Sequence, residues 1–174
     1  MADFSYVWTL AGFVYVAFVV DVFSRRILGW RVTTTKHTGM VTDALHQALQ
    51  VRRRGEHDWV TAGLIHHSDA GSQYVSVAFT AELIDAGIAG SIGTVGDALD
   101  NALCESTIGL FKTEAINLAG PAWRDRRDVE WQVARWVHWY NTSRLHSSIG
   151  HLPPIEFEQH HRQARTTTPN REVA

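Results

Sequence analysis

The apolar run AGFVYVAFVV, residues 11–20, most strongly constrains how this chain can fold. It is about half as long as the roughly 20 residues that a membrane-spanning helix needs. Its aromatic and β-branched side chains favour extended backbone, and Asp21 ends it. The run therefore predicts a buried strand, and we expect no association with a membrane.

The composition limits the classes of protein to which the chain can belong. Its 174 residues are 45% hydrophobic and 20% charged, which is typical of one globular domain with its own core. Cys104 is the single cysteine and no secretion signal precedes the first strand, so we expect a reducing cytoplasm. A net charge of −2 argues against a protein that coats nucleic acid, but it allows an enzyme that cuts it.

The segments around the apolar run predict the rest of a sheet. Residues 3–8 and 27–34 also have the patterns of strands, and the short links favour an antiparallel meander. The predicted elements that follow are a helix at 39–53, a strand in AGLIHHSD, a helix at 77–86, a strand in GIAGSI, and helices at 97–114 and 124–140. This order predicts an α/β fold with a mixed five-stranded sheet, in which the first three strands are antiparallel and the last two parallel, flanked by helices.

The domain organisation follows from these elements. We expect a core at residues 1–120, a helical extension packed on it at 121–160 and a disordered tail at 161–174. The helix predicted at 124–140 is rich in tryptophan, and tryptophans at helical spacing are more often core than partner-binding.

Three carboxylates stand at informative places in this order. Asp69 follows the fourth strand, at the end where ligands usually bind in such sheets, while Asp3 is on the first strand and Glu105 on the helix at 97–114. Clustered carboxylates repel one another unless a cation holds them together. Mg²⁺ and Mn²⁺ prefer oxygen ligands, and one or two such ions support displacement at a phosphodiester. The three acids therefore predict metal-dependent phosphodiester chemistry.

The helix at 97–114 has a second informative face. Asn101, Glu105, Ile108 and Lys112 recur on it at intervals of three and four residues. Asn101 and Lys112 are therefore candidates to contact DNA or to orient the glutamate. A solvated lysine remains the alternative for Lys112.

Four motifs resemble those of one known family. ADFSYV, HHSDAGSQYVS, DALDNALCESTIGLFKTE and YNTSRLHSSIGHLPPIEF are similar to the integrase-type catalytic core of bacterial insertion-sequence transposases, particularly the group made by frameshifting between two reading frames. The resemblance spans residues 2 to about 157. It implies a ribonuclease H-like fold and a catalytic triad of Asp3, Asp69 and Glu105, with 35 residues between the last two. Family members cleave transposon ends and join the 3′ hydroxyls to DNA with a divalent metal.

The resemblance also implies roles for other residues. Arg144 and His146, in YNTSRLH, are expected to bind DNA. Asp21 is expected to support the site or the fold, and His67 to approach the active site. We expect a homo-oligomer assembled on DNA at the bacterial nucleoid.

Two features depart from the family pattern. Ala70 stands where the family commonly has an acidic or amide residue. The chain also begins two residues before Asp3, whereas this group carries an N-terminal helix-turn-helix region, so we expect sequence-specific recognition to be largely missing. The alternatives are a related nuclease that hydrolyses without joining, and a silent remnant that only binds DNA or partner subunits.

Overall fold

The computed structural model describes residues 1–55, 59–69, 71–92, 102–117 and 122–167. Its strands are β1 (Ala2–Thr9), β2 (Gly12–Val20), β3 (Ile27–Thr33), β4 (Ile65–Ser68) and β5 (Ala89–Ile92). Its α-helices are α1 (Thr38–Gly55), α2 (Val77–Asp85), α3 (Ala102–Leu110), α4 (Arg126–Thr142) and α5 (Pro154–Thr167). A π-helical segment (Phe111–Asn117) continues α3, and a 3₁₀ turn (Ser147–Ile149) follows α4.

The five strands form one mixed sheet in the order β3-β2-β1-β4-β5. The first three strands pair antiparallel, whereas β4 pairs parallel with both β1 and β5. The predicted fold class is thus confirmed. β1 and β2 form a tight hairpin in which Thr9 pairs with Gly12. Gly12 has a φ of 112°, a conformation that glycine adopts without steric cost.

The sheet has a hydrophobic core on each face, which explains why the β2 sequence is apolar without interruption. Val16, Phe18 and Val20 of β2 point towards α3 and α4. Ala17 and Val19 point towards α1 and α2. Large buried side chains from the helices complete the two layers: Phe111, Val133, Trp136 and Tyr140 on the first face, and Met40, Leu45 and Phe79 on the second.

The helix predicted at residues 97–114 differs from the observed one. Residues 97–101 lie outside the described chain, and from Phe111 the helix has the wider π pattern. Phe111 and Ala115 are both buried in the core, while Glu114 on the same segment reaches Arg144 and Trp136. The wider turn allows the segment to make both sets of contacts.

The C-terminal helices also differ from expectation in two respects. α5 continues past residue 161 to Thr167, because QHHRQAR carries good helix formers and no proline or glycine. In α4 Trp136 is buried, but Trp131 and Trp139 are exposed, so the tryptophans do not all lie on one buried stripe. Among the helices that the structure describes, none has both the length and the hydropathy to cross a membrane.

A buried ionic cluster anchors α5 to the sheet. The carboxylate of Glu158 binds Arg26 and Arg52, each at 2.7 Å, and accepts a hydrogen bond from Ser24 at 2.8 Å. Arg52 also binds Asp21 at 2.9 Å. The cluster therefore joins α1, the β2–β3 turn and α5.

Candidate active site

The sheet register sets the relation between two of the three predicted acids. Ala2 of β1 pairs with Ser68 of the parallel strand β4, so Asp3 and Asp69 each come one residue after a paired position. Side chains alternate between faces along a strand. Asp3 is opposite Phe18, whose side chain faces α3, so Asp3 belongs to the face that α3 covers. Asp69 lies one residue beyond the end of β4, level with Asp3 along the sheet.

Each aspartate is held locally by a backbone N–H group. Asp3 Oδ1 accepts a hydrogen bond from Phe4 at 2.7 Å, and Asp69 Oδ1 accepts one from Gly71 at 3.0 Å. A Cβ atom built on Gly71 would lie 2.8 Å from Asp69 Oδ1, closer than real Cβ contacts. Glycine at this position thus leaves room for the aspartate.

Packing of α3 on the sheet presents the third acid. Cys104 and Thr107 are buried against the sheet, and the Thr107 hydroxyl donates to the Leu103 carbonyl at 2.9 Å. Glu105, next to the buried Cys104, is exposed. α3 therefore carries the glutamate on its solvent-facing side beside β1.

Two buried side chains each experience the charges of two of the three acids. Burial raises the pKa of the Cys104 thiol to about 12; the chain's amino terminus opposes this shift, and Asp3 and Glu105 add to it. Burial likewise raises the pKa of Tyr74 well above its usual value, and Asp3 and Asp69 raise it further. Asp3 thus acts on one buried group together with Glu105 and on another together with Asp69.

These side chains do not form a closed ligand set. Within the described parts of the chain, no three His, Cys, Asp or Glu side chains are grouped closely enough to hold a metal ion. Repulsion among like charges favours such a separation.

Two buried polar residues follow Asp69, and no role was predicted for Tyr74. Tyr74 is 2% exposed, and its hydroxyl has no hydrogen-bond partner among the residues that the structure describes. Gln73 is also buried, and its Oε1 has no partner in the same part of the chain. Leaving such groups unpaired costs free energy, so each needs an explanation. Their position in SQY, directly after the second aspartate, is the signal that points to them.

The two adjacent histidines of β4 have different surroundings. His66 is buried against Phe79 and Tyr74, and burial lowers its pKa to about 3, with smaller contributions from the chain's amino terminus and His67. His67 is half-buried, and by alternation it belongs to the face of the sheet opposite to that of His66.

Asp21 contacts cationic and hydroxyl partners. Its carboxylate binds Arg52, and it accepts hydrogen bonds from the Ser24 N–H and hydroxyl at 2.7 and 2.9 Å. Burial opposes its charge, but Ser24 and Arg52 outweigh burial and hold the pKa of Asp21 below its usual value. These contacts give Asp21 a structural role within the ionic cluster.

The residues predicted to bind DNA lie in separate places. Lys112, on the π-helical segment, has its Nζ 5.1 Å from the centre of the Tyr6 ring. Asn101 lies outside the described residues. The structure therefore adds a contact for Lys112 that the helical periodicity did not predict.

Arg144 and His146 line a cleft of about 800 Å³ beside α3, together with Arg25. Arg144 is ion-paired with Glu114 at 2.9 Å, so its charge is already compensated within the protein. His146 is buried against Tyr140, and burial together with Arg144 lowers its pKa. Its Nε2 has no hydrogen-bond partner within the described segments.

Comparison with known families accounts for this arrangement. Two family models described as integrase core domain match residues 1–98 and 86–154. The chain belongs to the integrase core domain family. This membership confirms the resemblance that the four sequence motifs suggested.

Curated relatives of this integrase core are bacterial. The chain is 51% identical over 158 residues to a putative transposase for insertion sequence element IS986/IS6110 of Mycobacterium tuberculosis, covering 91% of the chain and 56% of the relative. It is 48% identical to the transposase for insertion sequence element IS629 of Shigella sonnei, covering 91% and 51%. The chain thus spans about half the length of these relatives.

Solved structures confirm the ribonuclease H-like fold. The integrase core superposes on the catalytic core domain of BIV integrase with a TM-score of 0.62 at 16% identity, covering 95% of this chain and 97% of that one. It superposes equally well on the HTLV-2 integrase catalytic core domain in complex with magnesium, with a TM-score of 0.62 at 15% identity, covering 90% and 91%.

Proposed function

We propose that this chain is the catalytic core of a bacterial insertion-sequence transposase that cleaves DNA strands and joins their 3′ ends to target DNA. The observation that carries the proposal is the register of Ala2 with Ser68, since it sets Asp3 and Asp69 at the same level of neighbouring strands. The identity of 51% to a transposase supports it.

The carboxylate chemistry of the donor set suits a divalent cation, which would draw together acids that stand apart among the described residues. Three carboxylates provide the hard oxygen ligands that Mg²⁺ and Mn²⁺ prefer, and Asp3, Asp69 and Glu105 would hold one or two ions. The magnesium in the HTLV-2 core supports this assignment. When bound, the cation neutralises phosphoryl oxygens and lowers the pKa of the attacking hydroxyl.

The chemistry consists of two displacements at phosphorus. In the first, a water oxygen forms a bond to phosphorus as the bond to the 3′ oxygen breaks, and that oxygen leaves with a proton as a 3′ hydroxyl. In the second, this hydroxyl attacks a target phosphodiester and a new 3′ hydroxyl is released. The chain's own residues position the carboxylates: the Gly71 N–H holds Asp69, and packing of Cys104 and Thr107 holds the helix of Glu105.

Replacing Glu105 by Gln tests the proposal. The substitution keeps the size of an exposed side chain and removes its charge, so cleavage of pre-nicked or branched DNA in Mn²⁺ should disappear while the fold is retained. Glu156→Gln, also exposed and on α5, is the matched control and should retain activity. Cleavage by the Glu105 variant at the wild-type rate would refute the assignment. Formation of joined DNA products by the wild type would indicate a transposase, whereas cleavage without joining would indicate a hydrolytic nuclease. DNA binding by the wild type without any cleavage would indicate a silent remnant.

We further propose that the active form is a homo-oligomer assembled on DNA, working at the nucleoid in the bacterial cytoplasm. The HTLV-2 core has been described in dimeric and trimeric forms, which supports assembly of such domains.

A further inference from the structure

The β1–β2 hairpin carries a row of aromatic side chains, of which Tyr6, Trp8 and Phe13 are exposed and Phe4 and Tyr15 are partly buried. We call it the aromatic face: Phe4, Tyr6 and Trp8 of β1 and Phe13 and Tyr15 of β2. Trp8 is 64% exposed, and Tyr6 and Phe13 are exposed as well. Phe13 contacts both, with ring centres 4.7 Å from Trp8 and 5.3 Å from Tyr6. The rings therefore support one another although they lie in solvent.

This face belongs to the side of the sheet that α1 covers, but α1 lies mainly over β3 and β2. The β1 half is left open. On most protein surfaces, exposed apolar side chains are scattered singly. A contiguous exposed patch of this kind therefore indicates an interaction surface.

The charges around the aromatic face indicate the chemistry of its partner. The chain has two lysines, Lys36 and Lys112, against 14 arginines, and each lies over a ring of the aromatic face. Lys36 Nζ is 4.8 Å from the centre of the Phe4 ring, and Lys112 Nζ is 5.1 Å from that of Tyr6. Rings that offer flat surfaces, flanked by ammonium groups, complement a strand of unpaired bases with its phosphates.

The aromatic face is continuous with the proposed catalytic site. Tyr6 lies three residues after Asp3 on β1. Lys112 lies seven residues after Glu105, on the π-helical segment that continues α3. At the rise of an α-helix, this is about 10 Å along the helix axis. Among the described residues β1 pairs with β4 only through Ala2 and Ser68, so the edge of β1 beside Tyr6 is open. A DNA strand can pass around this edge from one face to the other.

We propose that the aromatic face binds single-stranded DNA, with bases stacked on Tyr6, Trp8 and Phe13 and with phosphates bound by Lys36 and Lys112. The inference deepens the proposed function, on which it rests for DNA as the substrate. Duplex DNA keeps its bases stacked on one another, so only an unpaired segment next to the cut site presents base faces to these rings.

Trp8→Ala, with Trp131→Ala as a matched control, tests the inference. Trp131 is 65% exposed and has Arg135 5.1 Å from its ring, so it offers a similar exposed ring beside a cation on another surface. The probe is a fluorescent 16-mer of thymidine, followed by anisotropy in EDTA. Trp8→Ala should weaken binding about tenfold, whereas Trp131→Ala and duplex binding should stay within about twofold of wild type.

Lys36→Gln provides a second variant that leaves the rings intact. It should make the slope of log affinity against log salt shallower by about 0.7, the loss of one phosphate contact on a single strand. Unchanged affinity in Trp8→Ala, or equal losses in Trp8→Ala and Trp131→Ala, would overturn the proposal. So would a wild-type dimer that Trp8→Ala converts to monomer without loss of DNA affinity, because the face would then bind a second copy.

The outcomes also separate this proposal from the proposed function. Binding is measured without metal and with Glu105 intact, whereas catalysis is measured in Mn²⁺ with Glu105→Gln. Normal cleavage with unaltered binding by Trp8→Ala refutes the aromatic face alone. Loss of binding in Trp8→Ala, together with no cleavage by the wild type, refutes the catalytic assignment alone.

Discussion

Asp69 accepts a hydrogen bond from the backbone N–H of Gly71 at 3.0 Å, and the absence of a side chain on Gly71 is what allows this approach. The turn after β4 thus holds one proposed metal ligand through its backbone. Hydrogen bonds to ligating carboxylates orient them and affect both metal affinity and activity.

Gly71→Ala should therefore impair catalysis more than folding. The added methyl group displaces the Asp69 carboxylate, so we expect Mn²⁺-dependent cleavage to fall by about 10- to 100-fold. The free energy of unfolding, measured with urea, should change by less than about 1 kcal/mol, since the carboxylate can rotate away. Gly109→Ala is the control, because a Cβ there meets nothing within 4 Å. Full activity in Gly71→Ala would contradict the assigned role of the turn.

Glu158→Gln should destabilise the fold strongly. Glu158 is buried, and the substitution leaves Arg26 and Arg52 without their shared carboxylate. We expect a loss of about 3–5 kcal/mol in the free energy of unfolding. Glu130→Gln removes an exposed carboxylate bound to Arg126 and should cost below about 1 kcal/mol. Equal costs for the two variants would show that the buried cluster is not the anchor of α5.

His66 should make the fold sensitive to acid. Its pKa is about 3 in the folded chain against an ordinary 6.5, so the unfolded chain binds the additional proton between these values. Stability is therefore complete above pH 6.5 and falls as the pH drops towards 3, by up to about 1.4 kcal/mol per pH unit. Urea titrations at several pH values should show a shallower slope for His66→Gln. The exposed control His138→Gln should keep the wild-type slope; a wild-type slope in His66→Gln would assign the acid sensitivity to other groups.

Binding to duplex DNA should be weak and should show little preference for sequence. Many arginines are already ion-paired within the protein: Arg26, Arg31, Arg52, Arg124, Arg126 and Arg144. Together with the net charge of −2, this pairing limits the number of phosphate contacts, so log affinity against log salt should have a slope no steeper than about −3. Titration of two scrambled duplexes of equal length measures both properties. Tight binding to one of them would show that the core reads sequence.

The sheet could be predicted because each of its strands has a recognisable local pattern of apolar residues. Alternation in β1, the uninterrupted apolar β2 and the position of Asp69 at the end of β4 follow from burial of one or both faces. Strand order also predicted that Asp3 and Asp69 lie at neighbouring positions, which the register of Ala2 with Ser68 bears out. The family resemblance assigned Glu105 to the triad with them, and the role of the three acids as metal ligands stays a prediction.

Other features depend on contacts that no local pattern reports. Ser24 and Glu158 are 134 residues apart in sequence, so their hydrogen bond is invisible until the fold is known. The pairing of Arg144 with Glu114 is hidden for the same reason. Helical spacing showed that the tryptophans of α4 recur, but it could not show that Trp131 would face solvent. Helical spacing also could not predict the contact of Lys112 with Tyr6, because Tyr6 lies on a strand far away in sequence.

The π-helical segment after α3 is equivalent to inserting one residue into an ordinary helix. Such an insertion changes the direction of the side chains that follow it. Residues up to Leu110 are oriented by packing on the sheet, whereas Glu114 is oriented by its contacts with Arg144 and Trp136. Deleting the exposed Thr113 would restore the α period and rotate the later turn by about 100° relative to the earlier one. Substitutions can therefore alter the orientation of α4 and its cleft during evolution without changing the angle at which Glu105 is presented.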